Sequence, residues 1–223
     1  MRKLELEPKK SIEVINWTHE SIERRFLGDI EQNYNEVCSV LDGMPQIMRI
    51  YFHNDVVRSE WALNGHAHAA DIITISFNAN YEDDKQTRKE LRELIFHESF
   101  HIRQNFTVTA RKFSGLESAV YEGCATLFEK EYTNSAPSYG DFESISKEKL
   151  EAWLDELKKL DPDMFWKVWQ KWLFYDESDG ESWKAYLTGS WLVDLALKKS
   201  DKSIVDLKDL AANDIVKMYE EFL

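Results

Sequence analysis

Apolar positions recur at spacings of three and four over residues 10 to 42, through Ile12, Ile15, Ile22, Phe26, Ile30, Tyr34, Val37 and Leu41, and predict a helix there. Asp42-Gly43-Met44-Pro45 stops it. The pattern then changes. Ile47 to Phe52 (IMRIYF) and Ala70 to Phe77 (ADIITISF) are short runs rich in β-branched residues and read as strands, the second preceded by a Gly-bearing loop, Asn64–His68. Helical spacing returns from about Lys85 to Phe106, with Asp83 or Asp84 as the N-cap, and again over residues 115 to 132. After the Pro-bearing loop Ser135–Gly140, the remainder reads as helices at about 146–160, 162–175, 181–199 and 204–222. A few strands followed by helices predict an α+β arrangement, with residues 1–133 as one unit and 134–223 as a helical subdomain.

Composition narrows the classes. Hydrophobic residues at 43% and aromatics at 13% supply a core. The 28 basic against 41 acidic side chains leave a net charge of −13, which argues against nucleic acid, because a phosphate backbone rewards clustered Lys and Arg. Cys38 and Cys124 are too few for a disulfide scaffold and fit a reducing compartment. The start, MRKLELEPKKSIEVINW, has no apolar signal core, and the apolar runs are too short to span a bilayer. A cytoplasmic protein without membrane association is the expectation, and its oligomeric state is open.

The chemistry is concentrated in His97-Glu98-Ser99-Phe100-His101, an HExxH motif inside the helix predicted at 85–106. Two His at i and i+4 share one helix face, so both imidazoles reach one ion. Zinc takes neutral imidazole readily and in catalytic sites has three protein ligands and a water. Glu98 lies beside that face, placed to take the water's proton. A third ligand must come from elsewhere. The xxGxxH extension would need Gly at position 104 and His at 107, where Gln104 and Thr107 stand. A Glu on the next helix is the other solution. Glu122 lies 21 residues after His101, flanked by the small residues Ala119, Gly123 and Ala125 that would let this helix pack closely against the first. Glu117 and Glu129 are rivals on the same helix.

HESFH followed by Tyr121-Glu122-Gly123-Cys124-Ala125 resembles the HExxH…EGxA signature of gluzincin-type zinc peptidases, and in particular a family of small bacterial predicted Zn-dependent proteases. The likeness covers roughly residues 60 to 200. It implies a zincin-like fold, a small mixed sheet with the active-site helix behind it, and one Zn2+ per chain held by His97, His101 and Glu122. It also implies Glu98 as general base in hydrolysis of a peptide or protein substrate by a metal-activated water. One departure stands out: the Asp that many gluzincins place four residues after the ligand Glu is here Thr126, which leaves the partner of the zinc His unassigned. Glu122-Gly123-Cys124 also matches the EGC of peptide deformylases, but there it precedes HExxH, so Cys124 reads as a packing residue.

The same likeness makes the strand before the active-site helix, Asp71–Phe77, the edge to which substrate adds. The family-like Tyr-x-x-Gly of Tyr186-Leu187-Thr188-Gly189 makes Tyr186 the oxyanion candidate, against a plain core role. His66 and His68 read as loop residues without a ligand role. Trp166, Trp169 and Trp172 read as a core stripe on a helix that walls the cleft. The acidic runs Glu82–Asp84 and Asp176–Asp179 read as solvated caps that would favour basic substrate groups if they rimmed the cleft. Two other functions stay open, an amidase or esterase on the same site and a non-catalytic binding protein that retains the scaffold.

Overall fold

A computed structural model describes residues 10–57 and 60–220. The predicted N-terminal helix divides in two. Ser11–Asn16 is a strand, β1, and the helix α1 runs over Glu20–Val40. Ser11-Ile12-Glu13-Val14-Ile15-Asn16 fits a β pattern as well as a helical one, and pairing with β2 (Ile47–Phe52) decides between them. The buried Glu23 marks the true helix start, accepting the Thr18 and His19 backbone N–H groups at 3.0 and 2.9 Å.

The expected loop Asn64–His68 is also a strand. β3 (Leu63–Ala69) forms an antiparallel hairpin with β4 (Ile72–Phe77), turning at Ala70-Asp71. Its sequence, LNGHAHA, carries none of the β-branched residues that announce a strand, so cross-strand pairing makes it one. The sheet order is β1-β2-β4-β3, with β1, β2 and β4 parallel. The segment expected to be the edge is therefore internal, and the edge on that side of the sheet is β3.

One sheet face is apolar. Met48, Ile50 and Phe52 of β2 are buried, whereas Ile47 and Tyr51 between them are exposed, the period of two expected of a half-covered sheet. Against the apolar face lie Phe26, Ile30 and Tyr34 of α1 and Leu91 and Ile95 of α2 (Asp84–Arg103). Asp83 caps α2, accepting the N–H groups of Lys85 and Gln86 at 3.0 Å each.

The helices continue as α3 (Gly115–Thr133), α4 (Lys147–Leu157), α5 (Pro162–Leu173), α6 (Lys184–Lys198) and α7 (Ala212–Glu220). Two expected boundaries move. Glu181–Ser182 is not the start of a helix but β6, paired with β5 (Tyr175–Asp176). Ile204–Asp209 is a 3-10 turn ahead of α7. Of the α5 tryptophans, Trp172 is core, while Trp166 is 40% exposed. Among the described residues no helix is long and apolar enough to cross a membrane.

The small residues of α3 turn out to serve a different neighbour. A Cβ on Gly123 would stand 2.2 Å from the Gly189 carbonyl carbon, and one on Gly189 would stand 1.7 Å from the Ala119 carbonyl oxygen. α3 and α6 thus cross backbone to backbone. The contact of α3 with α2 is instead aromatic, Phe128 against Phe96 and Phe100 at ring separations of 5.8 and 4.8 Å.

Candidate metal centre

α2 and α3 bring three donors to one point. His97 and His101 present Nε2 atoms 3.0 Å apart, with rings nearly perpendicular at 81°. Glu122 Oε2 lies 3.2 Å from the first nitrogen and 3.1 Å from the second. All three side chains are buried, and they are the one group of three or more His, Cys, Asp or Glu among the described residues whose donor atoms lie close enough to share an ion.

The protonation chemistry of this cluster fits a cation. His97 Nδ1 is 3.1 Å from Glu129 Oε2 and donates its proton there. A neutral His97 then turns the lone pair of Nε2 toward His101 Nε2 and Glu122 Oε2, and the three atoms converge as they would on a metal ion or an added proton. Burial opposes that extra proton, but hydrogen bonds to Glu122 and Glu129 and the charge of Glu98 prevail and raise His97 to about 10. Burial likewise works to raise Glu122, yet the two histidines hold it down at about 2. A buried set of two imidazoles and one ionised carboxylate is a fitting donor set for zinc.

Glu129 supplies what Thr126 does not. It is fully buried, accepts the Tyr139 hydroxyl at 2.6 Å and Ser135 Oγ at 3.1 Å, and so holds the His97 ring from behind. Thr126 Oγ1 is buried and has no such partner. Glu129 stands two helical turns after Glu122 on the same face, a spacing legible in the sequence, whereas the part played by Tyr139 is not. Glu117 lies apart: it closes a capping box with Ser114 at the start of α3 and pairs with Arg111.

Glu98 sits at the edge of the cluster. Its Oε2 accepts the Ala67 N–H of β3 at 2.7 Å. Burial is the main reason its carboxyl is raised, with Glu122 adding to it and the two histidines opposing. Tyr186 reaches the same place from α6, its ring 6.2 Å from His97. Burial, then the charges of Glu122 and Glu98, push its hydroxyl well above the usual range, so it stays protonated and able to donate. Gly189, one turn on, is what lets α6 come this close.

The remaining candidates fall outside. His66 and His68 lie on β3 with rings 5.9 Å apart and share no donor group with the cluster, and His53 pairs with Asp55 at 2.6 Å. Cys124 is fully buried, and its thiol is pushed up to about 12 by that burial, as a packing residue should be. Neither acidic run rims the cleft. Asp83 caps α2, and Asp176 and Asp179 hold the buried Lys184 at 2.7 and 2.9 Å.

A cavity of about 400 Å³ opens beside His97 and Glu98, between the β3 edge at Leu63 and Gly65 and the aromatic rings of Tyr139, Trp183 and Tyr186. The Ala67 N–H and C=O both point away from β4, to Glu98 and to the Val108 N–H. By the two-residue alternation of an antiparallel strand, the backbone groups of Gly65 and Leu63 also point outward, toward this cavity.

Against known proteins, a family model described as predicted Zn-dependent protease matches residues 26–217. No curated protein and no solved structure matches the chain.

Proposed function

From a chain that belongs to the family of predicted Zn-dependent proteases, we infer a peptide hydrolase that holds one zinc ion through His97, His101 and Glu122. The observation that carries the reading is the convergence of these three buried donors beside Glu98, at the mouth of a cleft bordered by a strand edge. When bound, the ion polarises the scissile carbonyl and acidifies water. Glu98 takes the proton of the attacking water and delivers it to the leaving amine, steered by the Ala67 N–H. The protonated Tyr186 hydroxyl donates to the oxyanion. Gly65 and Leu63 offer backbone partners to a substrate lying along β3. In this reading residues 1–133 carry the metal ligands and the base, and residues 134–223 form the second wall of the cleft, through Tyr139, Trp183 and the oxyanion donor Tyr186.

Purified protein should therefore cleave unstructured peptides, lose that activity to a chelator, and regain it with zinc. A panel that also contains small amides and esters separates the readings. Hydrolysis confined to the small substrates would replace a peptidase by another metal hydrolase, and no turnover with zinc bound would favour a binding protein.

Two further results are expected of the donors. With His97 raised to about 10, zinc must displace a proton at neutral pH. Apparent affinity then weakens about tenfold for each pH unit lowered, per proton displaced. Calorimetry in buffers of different ionisation enthalpy should show this release, and uptake of zinc with no proton released would contradict it. Glu129→Ala frees the His97 ring and should weaken zinc binding by about 10- to 100-fold in a chelator competition. Unchanged affinity would show that Glu129 does not orient the ligand.

A further inference from the structure

The cleft has two chemically distinct kinds of wall. From α2 it receives Gln86, Glu90 and Glu93, at spacings of four and three, so that they form one row leading to His97. From elsewhere it receives Trp61, Tyr139 and Trp183. Apart from His97, the described residues that line it include no basic side chain. Glu90 is bound by neutral donors, the Ala62 N–H at 2.8 Å and the Gln86 amide at 2.9 Å, which fix the carboxylate without cancelling its charge. Among the described residues the cation paired with Glu93 is Lys89 at 3.6 Å, whose side chain is 61% exposed and solvated.

The aromatic wall is built at a cost. Trp183 has φ of +60°, a left-handed conformation that a bulky side chain rarely adopts, and its N–H bonds the Phe174 carbonyl at 2.8 Å. This backbone sets its ring against Trp61, stacked at 5.9 Å, and against Tyr139 at 6.0 Å. Carboxylates together with indole and phenol faces are the surroundings that stabilise a cation on an apolar stem.

Direction follows from the strand. β3 runs from the Glu90 end of the cleft, where Ala62 is bonded, to the Glu98 end, where Ala67 is bonded. Taken as antiparallel, the pairing that β3 already makes with β4, an added segment carries its C-terminal half past Glu93 and Glu90. Along α2, Glu93 lies about 6 Å and Glu90 about 10 Å from His97, at 1.5 Å per residue. An extended substrate covers roughly 3.3 Å per residue, so Glu93 comes level with the second residue. We propose, resting on the peptidase reading above, that this cleft selects substrates with a lysine or arginine side chain within two residues after the scissile bond, held between Glu93 and Glu90 and the Trp61–Trp183 wall.

The test uses zinc-loaded full-length protein and peptides that differ only at those two positions, carrying Lys, Arg, Leu or Glu, with cut sites mapped by mass spectrometry. The expected kcat/KM for Lys and Arg exceeds that for Leu by about tenfold and that for Glu by about a hundredfold. Glu93→Gln should shrink the Lys-to-Glu ratio by about tenfold. Should that variant fail to fold, raising the ionic strength of the wild-type assay must shrink the same ratio. Cleavage without a cationic preference, or a preference that withstands both changes, overturns the proposal and leaves the peptidase reading standing. Failure to cut any peptide in the panel overturns that reading and the preference with it.

Discussion

Glu98→Gln is expected to abolish peptide hydrolysis, by at least about a thousandfold in kcat, while the protein keeps its fold and its zinc. The substitution preserves the shape of the side chain and its ability to accept the Ala67 N–H, the 2.7 Å bond that positions it. What it removes is the basic oxygen. Glu98 is well suited to the task it would lose, because burial and the charge of Glu122 raise its carboxyl from the ordinary range while the histidines restrain that rise. A group so placed accepts a proton from water and returns it to an amine more readily than an exposed carboxylate would. Metal content, read by elemental analysis, distinguishes base from ligand. Loss of zinc from the variant would make Glu98 a ligand, and full turnover with zinc retained would move the base elsewhere.

The second large effect is structural. Gly189→Ala puts a methyl group where the Ala119 carbonyl oxygen is 1.7 Å away, and that oxygen belongs to a helix backbone that cannot swing aside. α6 must move off α3, and every contact along the crossing loosens together. A cost of about 3 kcal/mol or more is expected, or a fall in Tm of about 10 °C. Gly28→Ala is the counterpart. Gly28 lies exposed within α1, has open space around its Cα, and should gain up to about 1 kcal/mol from the same substitution. Equal melting temperatures for the two variants would show that the crossing tolerates separation. The loss at Gly189 also reaches the site, since α3 carries Glu122 and α6 carries Tyr186. The Tyr-x-x-Gly pattern is thus one device: its glycine brings its tyrosine beside His97.

Particular residues show why part of this was legible in one dimension and part was not. His97, Glu98 and His101 stand within five residues on one helix, and helix geometry alone places two of them on one face. Glu122 came from a spacing and a resemblance, and α3 does present it to both histidines at 3.1 and 3.2 Å. Strand β1 reads equally as helix in the sequence because six residues with three apolar positions satisfy both periods, and only the partner β2 breaks the tie. Strand β3 carries Asn64, Gly65 and two histidines, residues that favour loops when alone, and it is a strand because β4 pairs with it. With β3 in place the sheet edge passed from Asp71–Phe77 to Leu63–Ala69.

By itself, then, the sequence determined what is local: the α2 helix, its cap at one of the two adjacent aspartates Asp83 and Asp84, and the pairing of two imidazoles with a neighbouring carboxylate. These depend on contacts between residues a few positions apart, where backbone geometry leaves little choice. Tertiary structure alone decided which carboxylate backs His97, which strand is the edge, which helix the small residues of α3 meet, and which acids line the cleft. Each of those pairs residues from different elements, such as Glu129 with Tyr139 across a loop or Gly123 with Gly189 across a helix crossing. Their partners are chosen by packing of the whole chain, and no local periodicity records that choice.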